Sequence, residues 1–152
     1  MTWTGCGGGA GGGIHSDVSL ELIDTIVSEN SAGGPGGGVR SNSGLSMLRS
    51  TFSGNTSVGD GGGIYSLGVL SVTESTISRN SSHRDGGGVF DVGTALIMVN
   101  STISLNDAYR DGGGLYSSGA NLYNSTIVGN GADFDADPEG GIGGGIYASP
   151  VV

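Results

Sequence analysis

The chain has 152 residues, 34 of them glycine, and a formal net charge of −9 with five arginines and no lysine. Its length allows one domain. The missing basic stripe excludes a nucleic-acid binder, which must neutralise phosphates, and excludes attraction to an anionic membrane surface. No apolar run reaches the roughly 20 residues of a membrane-spanning helix, so we expect no membrane insertion.

Glycine triplets recur along the chain and mark an internal repeat. The last glycine of each triplet is Gly13, Gly38, Gly63, Gly88, Gly114 or Gly145, and the successive differences are 25, 25, 25, 26 and 31. An asparagine recurs at nearly the same period, at Asn30, Asn55, Asn80, Asn106 and Asn130. Self-similarity at such a period is typical of solenoids, in which each turn packs only on its neighbours.

Within each repeat, apolar and polar residues alternate. In the third repeat, Ile64 follows the glycine triplet, Leu70 and Val72 form an apolar pair, and Ile77 precedes the asparagine by three positions. Alternation at period two predicts short half-buried strands rather than helices. The sequence therefore predicts an all-β fold, a right-handed parallel β-helix (a single-stranded solenoid) of about 5.5 turns of ~25 residues, with three short strands per turn.

We expect a single β-helix domain over residues 1–152 and interpret the chain as a fragment of a longer protein, because the repeat starts directly after Met1. The glycine triplets fit corners where backbones crowd or adopt positive φ. The asparagines should form an internal ladder, each amide bonding its neighbours above and below. Neither terminus carries a cap, so end-to-end self-association through the uncapped solenoid ends is a further expectation.

Three segments resemble a known bacterial repeat: FSGN at residues 52–55, GGGIYS at 61–66 and STISRN at 75–80. They are similar to the β-helix repeats of secreted surface proteins, including the chlamydial polymorphic outer-membrane proteins and pectate-lyase-like β-helices. The resemblance implies a parallel β-helix and an extracellular or cell-surface location on the bacterial outer surface. It implies no single activity, because adhesins, autotransporter passengers, polysaccharide lyases and hydrolases, and ice-binding proteins share this scaffold.

One outward column of the first strand is aromatic. Directly after the first apolar residue of each repeat the chain has His15, Arg40, Tyr65, Phe90, Tyr116 and Tyr147. Aromatic side chains present flat apolar faces to sugar rings, so Tyr65, Phe90, Tyr116 and Tyr147 are candidate residues for binding polysaccharide or host glycan. Aromatic residues are also favoured on strands for ordinary cross-strand packing.

Three aspartates directly precede glycine triplets on consecutive turns, namely Asp60, Asp85 and Asp111. Carboxylates on neighbouring turns would lie about 5 Å apart and those on alternate turns about 10 Å apart, which brackets the geometries of retaining and inverting glycosidases. These residues are therefore the candidate catalytic groups of a polysaccharide hydrolase or lyase. The alternative is a solvated or cation-binding corner in which arginines neutralise the stacked charges.

The third strand carries a Thr-x-Ser pattern on successive turns, from Thr51 and Ser53 through Thr76 and Ser78 to Thr102 and Ser104. Regular threonine arrays on flat solenoid faces are similar to ice-binding surfaces, which makes ice binding an alternative function. Threonine is also simply a good strand residue.

The longest spacing, between Gly114 and Gly145, contains an acidic insertion over residues 131–142. Its carboxylates could supply hard oxygen ligands to Ca²⁺, at Asp133, Asp135, Asp137 and Glu139. A disordered acidic loop is the alternative, since the full EF-hand pattern is missing. No other cofactor is expected.

Taken together, these patterns favour a secreted or surface-displayed β-helix that acts as a binding or structural module, with polysaccharide or surface glycan as the expected partner. A carbohydrate-active enzyme and an ice-binding protein are the alternatives.

Overall fold

The computed structural model describes residues 2–3, 6–7, 9–132 and 141–148. Every regular element in these ranges is a β-strand, and each strand pairs in parallel with the equivalent strand of the neighbouring turn. Ile64, for example, lies between Val39 and Val89, its counterparts in the preceding and following repeats. The predicted all-β parallel β-helix, with one turn for each glycine-triplet repeat, is therefore confirmed, while its right-handed sense stays a prediction.

Each turn contributes strands to four sheets, numbered here in the order in which the chain visits them after the glycine corner. The first sheet contains Ile14–Ser16, Val39–Ser41, Ile64–Ser66, Val89–Asp91, Leu115–Ser117 and Ile146–Ala148. The second contains Leu20–Ile23, Leu45–Leu48, Val69–Thr73, Ala95–Val99 and Ala120–Tyr123. The third contains Thr2–Trp3, Ile26–Ser28, Thr51–Ser53, Thr76–Ser78, Thr102–Ser104 and Thr126–Val128.

The three strands predicted for each turn are those that lie in the first three sheets. A fourth sheet follows the asparagine and consists of very short strands: Cys6–Gly7, Ser31–Ala32, Thr56–Ser57, Ser81–Ser82, Asp107–Ala108 and Gly131–Ala132.

The core is a set of apolar columns that run along the solenoid axis. The third sheet contributes Phe52, Ile77 and Ile103, which are fully buried and stack on one another. The first and second sheets contribute further columns, which contain Val39, Ile64, Val89 and Leu115, Leu45, Leu70 and Leu96, and Met47, Val72 and Met98. Each apolar position of the repeat is thus covered by its counterparts on the neighbouring turns, which removes from water a face that one repeat alone would expose.

The buried asparagines form the predicted ladder. The Asn55 amide donates from Nδ2 to Oδ1 of Asn80 at 2.9 Å, and the Asn80 amide donates in the same way to Asn106 at 2.9 Å. The same oxygens also accept backbone N–H groups, from Asn55 to Asn80 at 3.0 Å and from Asn80 to Asn106 at 2.9 Å. The Oδ1 atom of each asparagine therefore accepts a backbone N–H of the corner that strand pairing leaves without an acceptor.

A second internal ladder, of hydroxyl groups, was not anticipated. At the corner before the third sheet, the N–H of Ser50 donates to Oγ of Ser75 and the N–H of Ser75 donates to Oγ of Ser101, both at 3.0 Å. Each hydroxyl in turn donates to a nearby backbone carbonyl of its own turn, as Ser75 does to Thr73 at 2.7 Å. The signal was available, because Thr25, Ser50, Ser75, Ser101 and Ser125 recur at the repeat period.

The glycine corner brings backbones of adjacent turns too close for side chains. A Cβ on Gly62 would lie 2.4 Å from the carbonyl oxygens of Gly87 and Ser81, and Gly61 has a φ of +69°. The first glycine of the triplet is thus needed for its conformation and the second for space. This corner fixes the start of the first sheet, which carries the aromatic candidates.

Candidate functional site

The structure places the four aromatic candidates in one continuous stack on the outer face of the first sheet. We call Tyr65, Phe90, Tyr116 and Tyr147 the aromatic column. Ring centroids are 5.2 Å apart for Tyr65 and Phe90, 4.7 Å for Phe90 and Tyr116, and 4.8 Å for Tyr116 and Tyr147, with interplanar angles of 4°, 20° and 30°. All four residues are half-buried. The predicted register of the column is confirmed.

The orientation of the rings differs from the arrangement that sugar stacking would need. Because the rings lie face to face, each of the inner rings has both faces covered by its neighbours, and Tyr65 is covered on its other side by the Arg40 guanidinium, 5.5 Å from the ring centroid. From Tyr65 to Tyr116 the column therefore offers ring edges and phenolic hydroxyls rather than open faces. Within the described residues, the hydroxyls of Tyr65, Tyr116 and Tyr147 make no hydrogen bond to the chain.

The three corner aspartates also form a column, and their carboxylates serve the backbone. Oδ1 of Asp60 accepts the N–H of Asp85 at 3.2 Å, and Oδ1 of Asp85 accepts the N–H of Asp111 at 3.1 Å. Asp111 accepts the N–H of Ile142 on the next turn at 2.9 Å in the same way. The aspartate column thus ties four consecutive turns together, which sequence reasoning did not foresee.

Arginines lie over this column, as the pattern suggested. Arg84 Nε is 3.6 Å from Asp60 Oδ1 and Arg110 Nε is 3.9 Å from Asp85 Oδ1, with both arginines about half exposed. Burial raises the pKa of the Asp85 carboxyl, and the charges of Asp60 and Asp111 add to the rise, against the Asp111 N–H and Arg110. A raised carboxyl pKa suits a general acid, but the ladder explains the same residues without chemistry. Their catalytic role stays a prediction.

Asp91 is a buried carboxyl that sequence reasoning missed. It is fully buried, at a first-sheet position where the neighbouring turns have Ser66 and Ser117. Its carboxylate accepts the Ser117 hydroxyl at 3.3 Å and the Gly93 N–H at 3.4 Å. Burial raises the pKa of this carboxyl. The signal was the replacement of serine by aspartate in one column of the repeat.

The outward positions of the third sheet carry the Thr-x-Ser pattern in strict register. Thr76 pairs with Thr51 and Thr102, and Ser78 pairs with Ser53 and Ser104. The threonine column continues to Thr126, where the serine column ends in Val128.

The calcium candidates Asp133, Asp135, Asp137 and Glu139 lie outside the described residues, as does most of the acidic insertion. Among the described residues, no group of three or more histidine, cysteine, aspartate or glutamate side chains could hold a metal ion. The described ranges also contain no helix long and apolar enough to cross a membrane.

Comparison with known families gives a match to part of the chain. Residues 49–67 match the repeat of the Chlamydia polymorphic membrane protein (Chlamydia_PMP). The segment runs from the third strand of one turn through the buried Asn55 and the glycine triplet to the first strand of the next, and it does not include a strand of the second sheet. Searches of the curated proteins and of the solved structures found no match.

The match and the fold agree with each other. The family is one of bacterial surface and outer-membrane proteins, with which a surface location of this chain is consistent. The chain is a parallel β-helix repeat protein whose repeat is like that of the polymorphic membrane proteins.

Proposed function

We propose that this chain is a surface-displayed β-helix module that binds polysaccharide or host glycan along the aromatic column. The observation that carries the proposal is the unbroken register of Tyr65, Phe90, Tyr116 and Tyr147, which repeats an outward aromatic ring every 4.7 to 5.2 Å. A linear array of this kind suits a linear polymer, because each sugar of the polymer can meet an equivalent protein group.

The contact is made through hydroxyl groups and ring edges. The phenolic hydroxyls are free of intramolecular partners within the described residues, so they can exchange hydrogen bonds with sugar hydroxyls. Phe90 interrupts the row of hydroxyls and supplies an apolar edge. Because the net charge of the chain is −9, an anionic polysaccharide would be repelled, and the proposed ligand is a neutral glycan.

The test removes the hydroxyls and keeps the stack. Affinity gel electrophoresis of the chain through a panel of neutral polysaccharides should show retardation by at least one of them. In the double variant Tyr65→Phe, Tyr116→Phe this retardation should be lost. The matched control is Tyr123→Phe, which removes a phenolic hydroxyl from an exposed tyrosine of the second sheet. Retardation that survives in the double variant would contradict the proposal.

The rival enzymatic function uses the aspartate column, and it is separable from binding. If the chain cleaves a polysaccharide, reducing ends should appear during incubation and should vanish with Asp85→Asn. Retardation without release of reducing ends supports a binding module.

A further inference from the structure

The outer face of the third sheet presents two columns of hydroxyl groups. We call it the hydroxyl face, and it consists of Thr51, Thr76, Thr102 and Thr126 with Ser53, Ser78 and Ser104. Neighbouring turns place equivalent residues about 4.8 Å apart, and the two columns are separated by two residues along a strand, or about 6.6 Å. Thr51, Thr76 and Thr102 are half-buried, as are Ser53 and Ser104, whereas Thr126 is exposed and Ser78 is only 7% exposed.

These hydroxyls differ from the inward ones in having no hydrogen-bond partner within the part of the chain that the structure describes. Ser50, Ser75 and Ser101 each donate their hydroxyl to a backbone carbonyl, at 2.7 to 2.9 Å. On the hydroxyl face, by contrast, no side-chain hydroxyl makes a hydrogen bond to another described residue. A whole row of polar groups is therefore available to a ligand, and the fold does not use it.

The hydroxyl face is also neutral and rigidly supported. The outward positions of this sheet, from Ile26 to Val128, carry no charged and no aromatic side chain in the described turns. Directly behind them lie Phe52, Ile77 and Ile103, which are fully buried. At the rim, Arg49 forms a bidentate ion pair with Asp24, and both N–O distances are 2.7 Å.

We infer that the hydroxyl face binds the ordered water of an ice surface. A threonine side chain offers one hydroxyl and one methyl group, and a fixed two-dimensional array of both can hold water molecules in a repeating arrangement while excluding the disordered ones. The outward strand positions offer a charged ligand no counter-charge, since the exposed Glu74 and Arg79 lie beyond the ends of the strand, and they offer a sugar none of the aromatic rings that commonly contact it. This inference is independent of the glycan site, since it concerns a different sheet.

The experiment measures thermal hysteresis and the binding of the fluorescently labelled chain to a growing ice crystal. The unmodified chain should show both. The double variant Thr76→Tyr, Thr102→Tyr, whose side chains protrude from the centre of the face, should fall to the level of buffer. Ser71→Tyr is the matched control, because it adds the same ring to an outward position of the second sheet and should keep the hysteresis.

Circular dichroism checks that each variant is folded. If the double variant unfolds, Thr76→Lys is a second variant that disrupts the hydroxyl face. Hysteresis that is absent from the unmodified chain, or that persists in folded variants of Thr76, would overturn the inference. Binding to insoluble neutral polysaccharide that is lost in the Thr76 variants, but kept in Tyr65→Phe, Tyr116→Phe, would also overturn it and reassign the face to a sugar lattice.

Discussion

Asn80 lies in the middle of the asparagine ladder, and its replacement by alanine tests whether that ladder holds the turns together. Oδ1 of Asn80 accepts the Asn55 N–H at 3.0 Å and the Asn55 amide at 2.9 Å, and its own amide donates to the Phe52 carbonyl at 3.1 Å and to Asn106 at 2.9 Å. Asn80→Ala removes all four of these hydrogen bonds and no other interaction of comparable energy.

The cost follows from the groups that remain. The Asn55 N–H and one hydrogen of the Asn55 amide lose their acceptor in a site from which water is excluded, since Asn55 is fully buried. An unsatisfied buried donor costs about 1–3 kcal/mol, so the two together cost about 2–6 kcal/mol. A domain of this size has a total stability of about 5–15 kcal/mol, so the variant should be close to its folding limit. The corresponding fall in melting temperature is roughly 10 °C.

Urea and thermal unfolding, followed by circular dichroism, would measure this loss. The matched control is Asn121→Ala, which removes an exposed asparagine whose side chain makes no hydrogen bond to the described residues. The control should stay within about 0.5 kcal/mol of the unmodified chain, as surface substitutions do. If Asn80→Ala is no more costly than Asn121→Ala, the asparagine ladder does not stabilise the fold.

Three further predictions concern other parts of the chain. Asp91→Ser should raise the melting temperature at pH 7. Burial raises the pKa of the Asp91 carboxyl in the folded chain, so the unmodified chain loses stability as the pH rises above about 4, which is the pKa of this carboxyl in the unfolded chain. The advantage of the variant should shrink at pH 4, and an unchanged difference would contradict this reading. Gly87→Ala should prevent folding, since its Cβ would lie 2.3 Å from the Asp107 carbonyl oxygen, whereas Gly119→Ala meets no atom within 4 Å and should give a normal circular dichroism spectrum. If the acidic insertion binds calcium as its sequence predicts, Ca²⁺ should raise the melting temperature increasingly with concentration and Asp135→Asn should reduce the effect; no shift at saturating Ca²⁺ would exclude the site.

The repeat predicts the register because a solenoid turn has one way to place its apolar columns on those of its neighbours. This holds even in the repeat after Gly88, which is longer by a single position than the three before it. The extra residue is taken up between Asp91 and Leu96, outside the paired strands, and both Phe90 and Leu96 keep their partners in the adjacent turns. The positions of the apolar, asparagine and aromatic columns were therefore available from the sequence.

Atomic contacts within a column were not available in the same way. A column states which residues are neighbours, but the choice of rotamer decides which atoms meet. Tyr65 and Phe90 could have pointed their faces outward, and packing turned them toward each other. Asp60 could have been solvated, but the corner brings the Asp85 N–H within reach of its carboxylate. Sequence periodicity predicts neither the stacking of these rings nor this hydrogen bond.

In this fold, the polar groups that stabilise the structure differ from those that are available to a ligand. Inward polar side chains such as Asn80 and Ser75 are fully engaged in the ladders, so changes there act on folding and reach any ligand only indirectly. Outward hydroxyls such as those of Tyr116 and Thr102 have no partner among the described residues, and the fold would lose little if they were removed. Variants of these outward groups should therefore alter binding at an unchanged melting temperature, and that separation identifies a functional face on a scaffold where every position is repeated.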